Sequence, residues 1–141
     1  MSLQFHPQIG TVLICDFSSG FKAPEMVKKR PVVVIAPRHR HRSNLCTVVP
    51  LSTTKPQPIQ PYHHKLNSES LPGKFAERET WAKCDMIVTV SFTRLDRVKI
   101  GINQQGKRLY ACHSVIAHDL IAIQRAVLYA LGLGRLTPLF S

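Results

Sequence analysis

The sequence predicts a mainly β, α+β fold: a small half-open antiparallel β-barrel covered by one C-terminal helix. Three observations carry this. Short apolar runs rich in β-branched residues, bounded by prolines and polar turns, occupy the first two thirds of the chain. The links between the first three runs are too short for helical crossovers, so the strands must pair antiparallel. A single segment with apolar residues at three- and four-residue steps follows near the C-terminus.

In order, TVLICDF (11–17) reads as the first strand, and RPVVVIAP (30–37) as a buried second strand with Pro31 at its start and Pro37 at its end. RHRHRSN (38–44) is a polar turn, and LCTVVPLST (45–53) a third strand. Residues 54–74 are turn-rich, with PYHHKLN supplying a short edge strand, since proline and lysine are edge devices. FAERETWAKCDMIVTVSF (75–92) reads as one long strand, or two with a bend, and a turn is expected at Asn103–Gly106. SVIAHDLIAIQRAVLYALG (114–132) is the helix. Ile116, Leu120, Ile123, Val127 and Leu131 form its apolar stripe, Ser114 is its expected N-cap and Gly132 its stop. The 141 residues suit one domain over 1–141 with a turn-rich insertion at about 54–74.

Charge is the informative part of the composition. Nineteen Lys and Arg against eight Asp and Glu give a formal net charge of +11. That excess suits a polyanion, either nucleic acid or an acidic protein. An apolar content of 44% excludes a largely disordered chain. No apolar run is long enough for a membrane span, and MSLQFHPQIG lacks the basic start and apolar middle of a signal peptide, so a cytoplasmic location is expected. Cys15, Cys46, Cys84 and Cys112 are scattered without a CxxC pair and read as free thiols, mostly buried. The seven histidines lack companions at ligand spacing, so no metal site and no cofactor are expected.

Residues 20–37, GFKAPEMVKKRPVVVIAP, place Glu25 and Arg30 just ahead of the second strand. On a helix five residues turn through about 500°, which would point the two side chains apart. Gly20 and Pro24 favour a loop instead, and a loop can bring the pair to one point.

These segments resemble the PemK/MazF ribonuclease toxins of bacterial toxin–antitoxin systems. GTVLICDF corresponds to the family's opening strand, and EMVKKRPVVVIAP to its E-x-x-x-x-R-P loop and second strand. PLST (50–53) corresponds to the strand ending P-x-[ST]-[ST], KCDM (83–86) to the PemK-like R-C-D-Q, and GKRL (106–109) and the closing helix also agree. The resemblance implies a homodimer of SH3-like barrels that cuts single-stranded RNA without metal, leaving a 2′,3′-cyclic phosphate and a 5′-hydroxyl. It also implies an acidic antitoxin as partner, with DNA binding in its company.

Such cleavage needs a base for the 2′-hydroxyl, donors for the phosphorane and an acid for the leaving 5′-oxygen. Arg30 can grip phosphate oxygens as a bidentate fork. Of the adjacent Ser52 and Thr53 only one can face the site; the resemblance favours Ser52 as the hydroxyl donor and leaves Thr53 to substrate binding. Glu25 and Asp85 compete for the base. On a continuous strand Lys83 and Asp85 would share a face and form an acid–base pair, which favours Asp85, with Glu25 orienting Arg30. Lys83 stands where the family has Arg and gives up the fork; Met86 stands in place of Gln. Lys28, Lys29, Arg38, Arg40 and Arg42 are expected to hold the RNA backbone. Two other readings fit the same fold: a non-enzymatic toxin that binds DNA gyrase, and a plain nucleic-acid-binding module.

Overall fold

Val12–Asp16 (β1), Lys29–Val34 (β2) and Leu45–Ser52 (β3) form the expected antiparallel meander in a computed structural model that describes residues 3–140. Val12 lies opposite Val33 and Asp16 opposite Lys29, while Val32 lies opposite Pro50. Both faces of this sheet are buried, which is why β2 reads as an unbroken apolar run. Alternation divides its side chains between two cores. Val12, Val33, Val49 and Leu51 pack on one face with Ile123, Ala126 and Val127. Leu13, Cys15, Phe17, Val32, Val34 and Val48 pack on the other with Val90, Phe92 and Leu95.

β3 changes partner along its length, and this bends the sheet. Its first residues, Leu45–Val48, pair with Val88–Ser91 (β6), and its last two, Leu51 and Ser52, pair with Trp81–Lys83 (β5). Val49 and Pro50 fall between these ladders, so Pro50 sits where its missing N–H costs no bond. His63–Lys65 (β4) pairs with β5 at one edge, the edge strand expected from PYHHKLN. Leu95–Arg97 (β7) pairs with β1 at the other edge. Lys99–Ile102 (β8) and Arg108–Tyr110 (β9) form a separate hairpin around the expected turn, where Gly106 N–H donates to Asn103 O at 3.0 Å. The antiparallel sheet stays open and a C-terminal helix covers one face, as expected.

Two expectations need correction. Residues 75–92 are not mostly strand: Gly73–Glu77 is a 3-10 turn, and a second one, Cys84–Met86, separates β5 from β6. The chain must step from the end of β3 to its beginning, and that step is the turn. The helix, Ala117–Ala130 (α1), starts two residues later than the sequence suggested. Ser114 bridges to Thr11 and Ile116 occupies the N-cap without a side-chain bond of its own. Ser70 caps from a distance instead, its Oγ accepting from Ile116 N–H at 2.9 Å. Leu131, expected in the apolar stripe, is 58% exposed because the chain turns there. Gly132 (φ +78°) ends the helix as expected, with Leu133 N–H donating to Leu128 O and Gly132 N–H to Tyr129 O.

The buried face of α1 carries a carboxylate. Asp119, 1% exposed, accepts from His64 Nε2 at 2.8 Å, Asn67 N–H at 2.9 Å and Ser70 Oγ at 2.5 Å. It stands in the first helical turn, where negative charge is favoured, and ties α1 to β4 and the segment after it. No helix among the described residues is long and apolar enough to cross a membrane.

Candidate active site

Register brings three of the expected residues to one face of the sheet. Arg30 lies opposite Cys15 on β1, so by alternation it shares the face of Val32 and Val34. Ser52 follows Val48 and Pro50 on that same face of β3, and lies opposite Trp81 on β5. Lys83, two residues after Trp81, therefore also projects to this face. Arg30 and Lys83 are half-buried, and the Nε of Arg30 is buried without an acceptor. Ser52 is 3% exposed; its Oγ accepts from Thr54 N–H at 3.1 Å, which leaves the hydroxyl proton uncommitted. Thr53 is exposed beyond the strand end.

Glu25 and Asp85 reach this face from two different connections. Both line one cavity of about 450 Å³, whose walls include Phe17, Phe21, Pro50, Met86 and Val88. The strand-face pairing expected for Lys83 and Asp85 does not exist, because the strand ends at Lys83 and Asp85 sits in the Cys84–Met86 turn. Asp85 shares the cavity with Glu25 instead. Glu25 in turn does not reach back to Arg30: its carboxylate accepts from Lys22 N–H at 3.2 Å, within a turn closed by Glu25 N–H to Lys22 O at 2.8 Å.

The loop that carries Glu25 is pinned by Arg94, a residue that no motif of the sequence marks. Arg94 Nη1 donates to Asp16 O at 3.0 Å and Ser19 O at 2.8 Å, and the guanidinium lies 4.6 Å over the Phe21 ring. Phe21 meets Phe17 edge-on at 5.2 Å. Gly20 has φ +79°, and a Cβ there would stand 3.0 Å from Arg94, so glycine is required for this clamp. Asp16 adds a further tie: the Ser18 hydroxyl and N–H bond its carboxylate and hold it below the usual range. An arginine 75 positions from its acceptor leaves no local pattern to read.

The cations expected to grip RNA are divided between two places. Lys28 and Lys29 are exposed beside the loop. Lys29 also borders a second cavity of about 340 Å³ with Arg94, Arg97, Lys99, Arg108 and the carboxylates of Asp16 and Asp96, assembled from β1, β2, the Phe92–Arg94 turn, β7 and the hairpin. Arg38, Arg40 and Arg42 lie in the β2–β3 connection, at the end of the strands opposite Arg30 and Ser52. The length of β3 separates them by about 20 Å. Arg38 and Arg40 are exposed, but Arg42 is half-buried and donates to Thr47 Oγ1 at 3.2 Å.

The four cysteines are free, and Cys112 is exposed. Burial pushes the thiols of Cys15 and Cys84 up to about 12 and that of Cys46 to about 11, which keeps them protonated and inert. Among the described residues no three His, Cys, Asp or Glu side chains are grouped to hold a metal ion.

An open sheet thus carries a helix on one face and Arg30, Ser52 and Lys83 on the other, beside the cavity lined by Glu25 and Asp85. Residues 8–118 match the family of PemK-like, MazF-like toxins of type II toxin–antitoxin systems, and the chain belongs to that family. YifN, an uncharacterized protein of Escherichia coli strain K12, is 32% identical over 152 aligned positions that cover 94% of this chain and 96% of YifN. An uncharacterized protein of Haemophilus influenzae strain Rd is 29% identical, with 96% and 98% covered. Among solved structures, MazF from Deinococcus radiodurans shares the fold with a TM-score of 0.63 at 14% identity, covering 92% of this chain and 99% of its own. An endoribonuclease from a mycobacterial species gives 0.58 at 18% identity, with 93% and 97% covered.

Proposed function

We propose that this toxin is an endoribonuclease that cuts single-stranded RNA through the RNA's own 2′-hydroxyl. One observation carries the reading: Arg30, Ser52 and Lys83 project from one sheet face, beside the cavity that holds Glu25 and Asp85. Family membership and the fold shared with an endoribonuclease support it.

Asp85 takes the proton of the 2′-hydroxyl, whose oxygen attacks phosphorus as the bond to the 5′-oxygen breaks. It is the carboxylate suited to this task, because Glu25 already accepts a backbone bond. Arg30 and the Ser52 hydroxyl donate to the phosphorane oxygens, Arg30 through the fork of its guanidinium. Lys83 protonates the departing 5′-oxygen and recovers its proton from water. The products are a 2′,3′-cyclic phosphate and a 5′-hydroxyl. Lys28, Lys29 and Thr53 hold the RNA near the cut, and Arg38 and Arg40 meet a longer strand at the far end of the sheet. Arg42 contributes charge there while bracing Thr47. The chain works as a cytoplasmic homodimer, and an acidic antitoxin silences it by neutralising the same basic surface.

The test is incubation of the purified protein with a long RNA in excess EDTA, followed by end mapping. The expected result is undiminished cleavage with cyclic phosphate and 5′-hydroxyl ends. Loss of cleavage in EDTA, or 5′-phosphate ends, overturns the mechanism.

A further inference from the structure

Away from the proposed cleavage site, a cavity of about 330 Å³ opens between β4, α1 and the Gly134–Phe140 turn. Ala122 and Ala126 are small and leave the room, while His63, Arg125 and Tyr129 bring polar groups to it. No described residue that lines it is acidic. From this we infer that the cavity binds the phosphate group of a small molecule, at a site separate from the one proposed for RNA cleavage.

Three donors come to the cavity from two elements. Arg125 and Tyr129 stand four residues apart on α1 and so share one side of the helix. His63 comes from β4. Its Nδ1 accepts from Gln60 N–H at 3.0 Å, so the ring proton of the neutral imidazole sits on Nε2. The remaining polar groups of the wall are already spent: His64 gives its Nε2 proton to Asp119, and Thr137 gives its hydroxyl proton to Gly134 O at 2.8 Å. Asp119, the carboxylate of the same helix, is taken by His64, Asn67 and Ser70. Among the described residues Arg125 pairs with no carboxylate, so its charge is open to an anion from outside.

The donor set favours phosphate over carboxylate. A guanidinium fork engages two oxygens of either anion, but a tetrahedral phosphate presents a third, for which the His63 Nε2–H and the Tyr129 hydroxyl are available. The volume lies at the lower end of small-molecule sites, which suits a phosphate on a sugar-sized body rather than a strand of RNA. Tyr129, 51% exposed, offers its ring as an apolar face to that body. α1 covers the sheet face turned away from Arg30 and Ser52, so the inference stands whether or not the chain cuts RNA.

The test is a titration of the full chain with ribose 5-phosphate at constant ionic strength, following backbone amides by NMR. Saturable shifts are expected at Tyr62–His64 and Ala122–Tyr129. Arg125→Gln keeps a good helix former at its position and should weaken this binding about tenfold or more, as the loss of a charge-assisted bond does. His63→Asn keeps an acceptor for Gln60 N–H and removes the Nε2 donor. It should weaken binding as well, and it decides the matter if Arg125→Gln does not fold. Shifts that never saturate, that chloride reproduces, or that survive both substitutions overturn the inference. So does a loss of RNA affinity in Arg125→Gln when ribose 5-phosphate does not bind the parent, since the cluster would then belong to the RNA surface.

Discussion

Arg30 carries the electrostatic part of the proposed cleavage, half-buried near the start of β2 on the sheet face it shares with Ser52. Arg30→Ala is expected to lower kcat by about a hundred- to thousandfold, the cost of losing one electrostatic donor, with little change in Tm. Single-turnover cleavage of a fixed RNA measures it, and unchanged turnover would return Arg30 to a packing role. Asp119 is a buried charge with every need met. Burial alone would raise its pKa, but the bonds from Ser70, His64 and Asn67 more than offset this and hold it below the usual range. A carboxyl lowered in the folded state stabilises above the unfolded value of about 3.9, and that stability is lost as pH falls through the lower folded pKa. Asp119→Ala should therefore cost about 3 kcal/mol at neutral pH and flatten the loss of stability below about pH 4. Urea titrations across pH check both effects.

Connections and strands share the placing of the proposed site. The loop after β1 carries Glu25 and the turn after β5 carries Asp85, while the strands supply Arg30, Ser52 and Lys83 in fixed register. The loop is held by Arg94, and Arg94→Ala should release it without opening either core. Limited proteolysis is expected to move into residues 18–26, and activity to fall about tenfold or more, since misplacing a catalytic group by an ångström costs about a hundredfold. A variant that stays protease-resistant and active would show that Phe21 and the Lys22–Glu25 turn suffice alone. Ser70 illustrates the same principle in reverse. It lies 46 positions from Ile116, yet supplies the cap that the helix lacks in its own sequence.

Across the molecule the net charge of +11 is distributed rather than uniform. Lys29, Arg97, Lys99 and Arg108 converge at the β1–β7 edge, where Arg97 also rests 4.5 Å over the Tyr110 ring, whereas Arg38 and Arg40 stand at the far end of β3. RNA affinity should fall steeply with salt, at a log–log slope of about −3 if about four phosphates are neutralised. Lys99→Gln with Arg108→Gln should flatten that slope by about 0.7 for each phosphate no longer neutralised and weaken all sequences alike, because cations on the phosphates carry no base information. Binding measured across a salt series decides it; a slope unchanged by both substitutions would assign this cluster to a protein partner instead.

The short apolar runs TVLICDF, RPVVVIAP and LCTVVPLST were enough by themselves to determine the meander, because short links between β-branched runs leave only antiparallel neighbours. Gly132 likewise determined the end of the helix, since the backbone requirement there is local. The tertiary structure alone decided the rest. Whether Asp85 continues a strand depends on β3 exchanging β6 for β5, a choice made by ladders between residues as distant in the chain as Leu45 and Ser91. Where the helix begins depends on Ser70, how Glu25 is held depends on Arg94, and the meeting of Arg97 and Arg108 depends on the hairpin folding back to the sheet edge. Periodicity reports which face of an element is apolar. It carries no record of which distant polar group arrives to satisfy the other, and that arrival places the two carboxylates in one cavity.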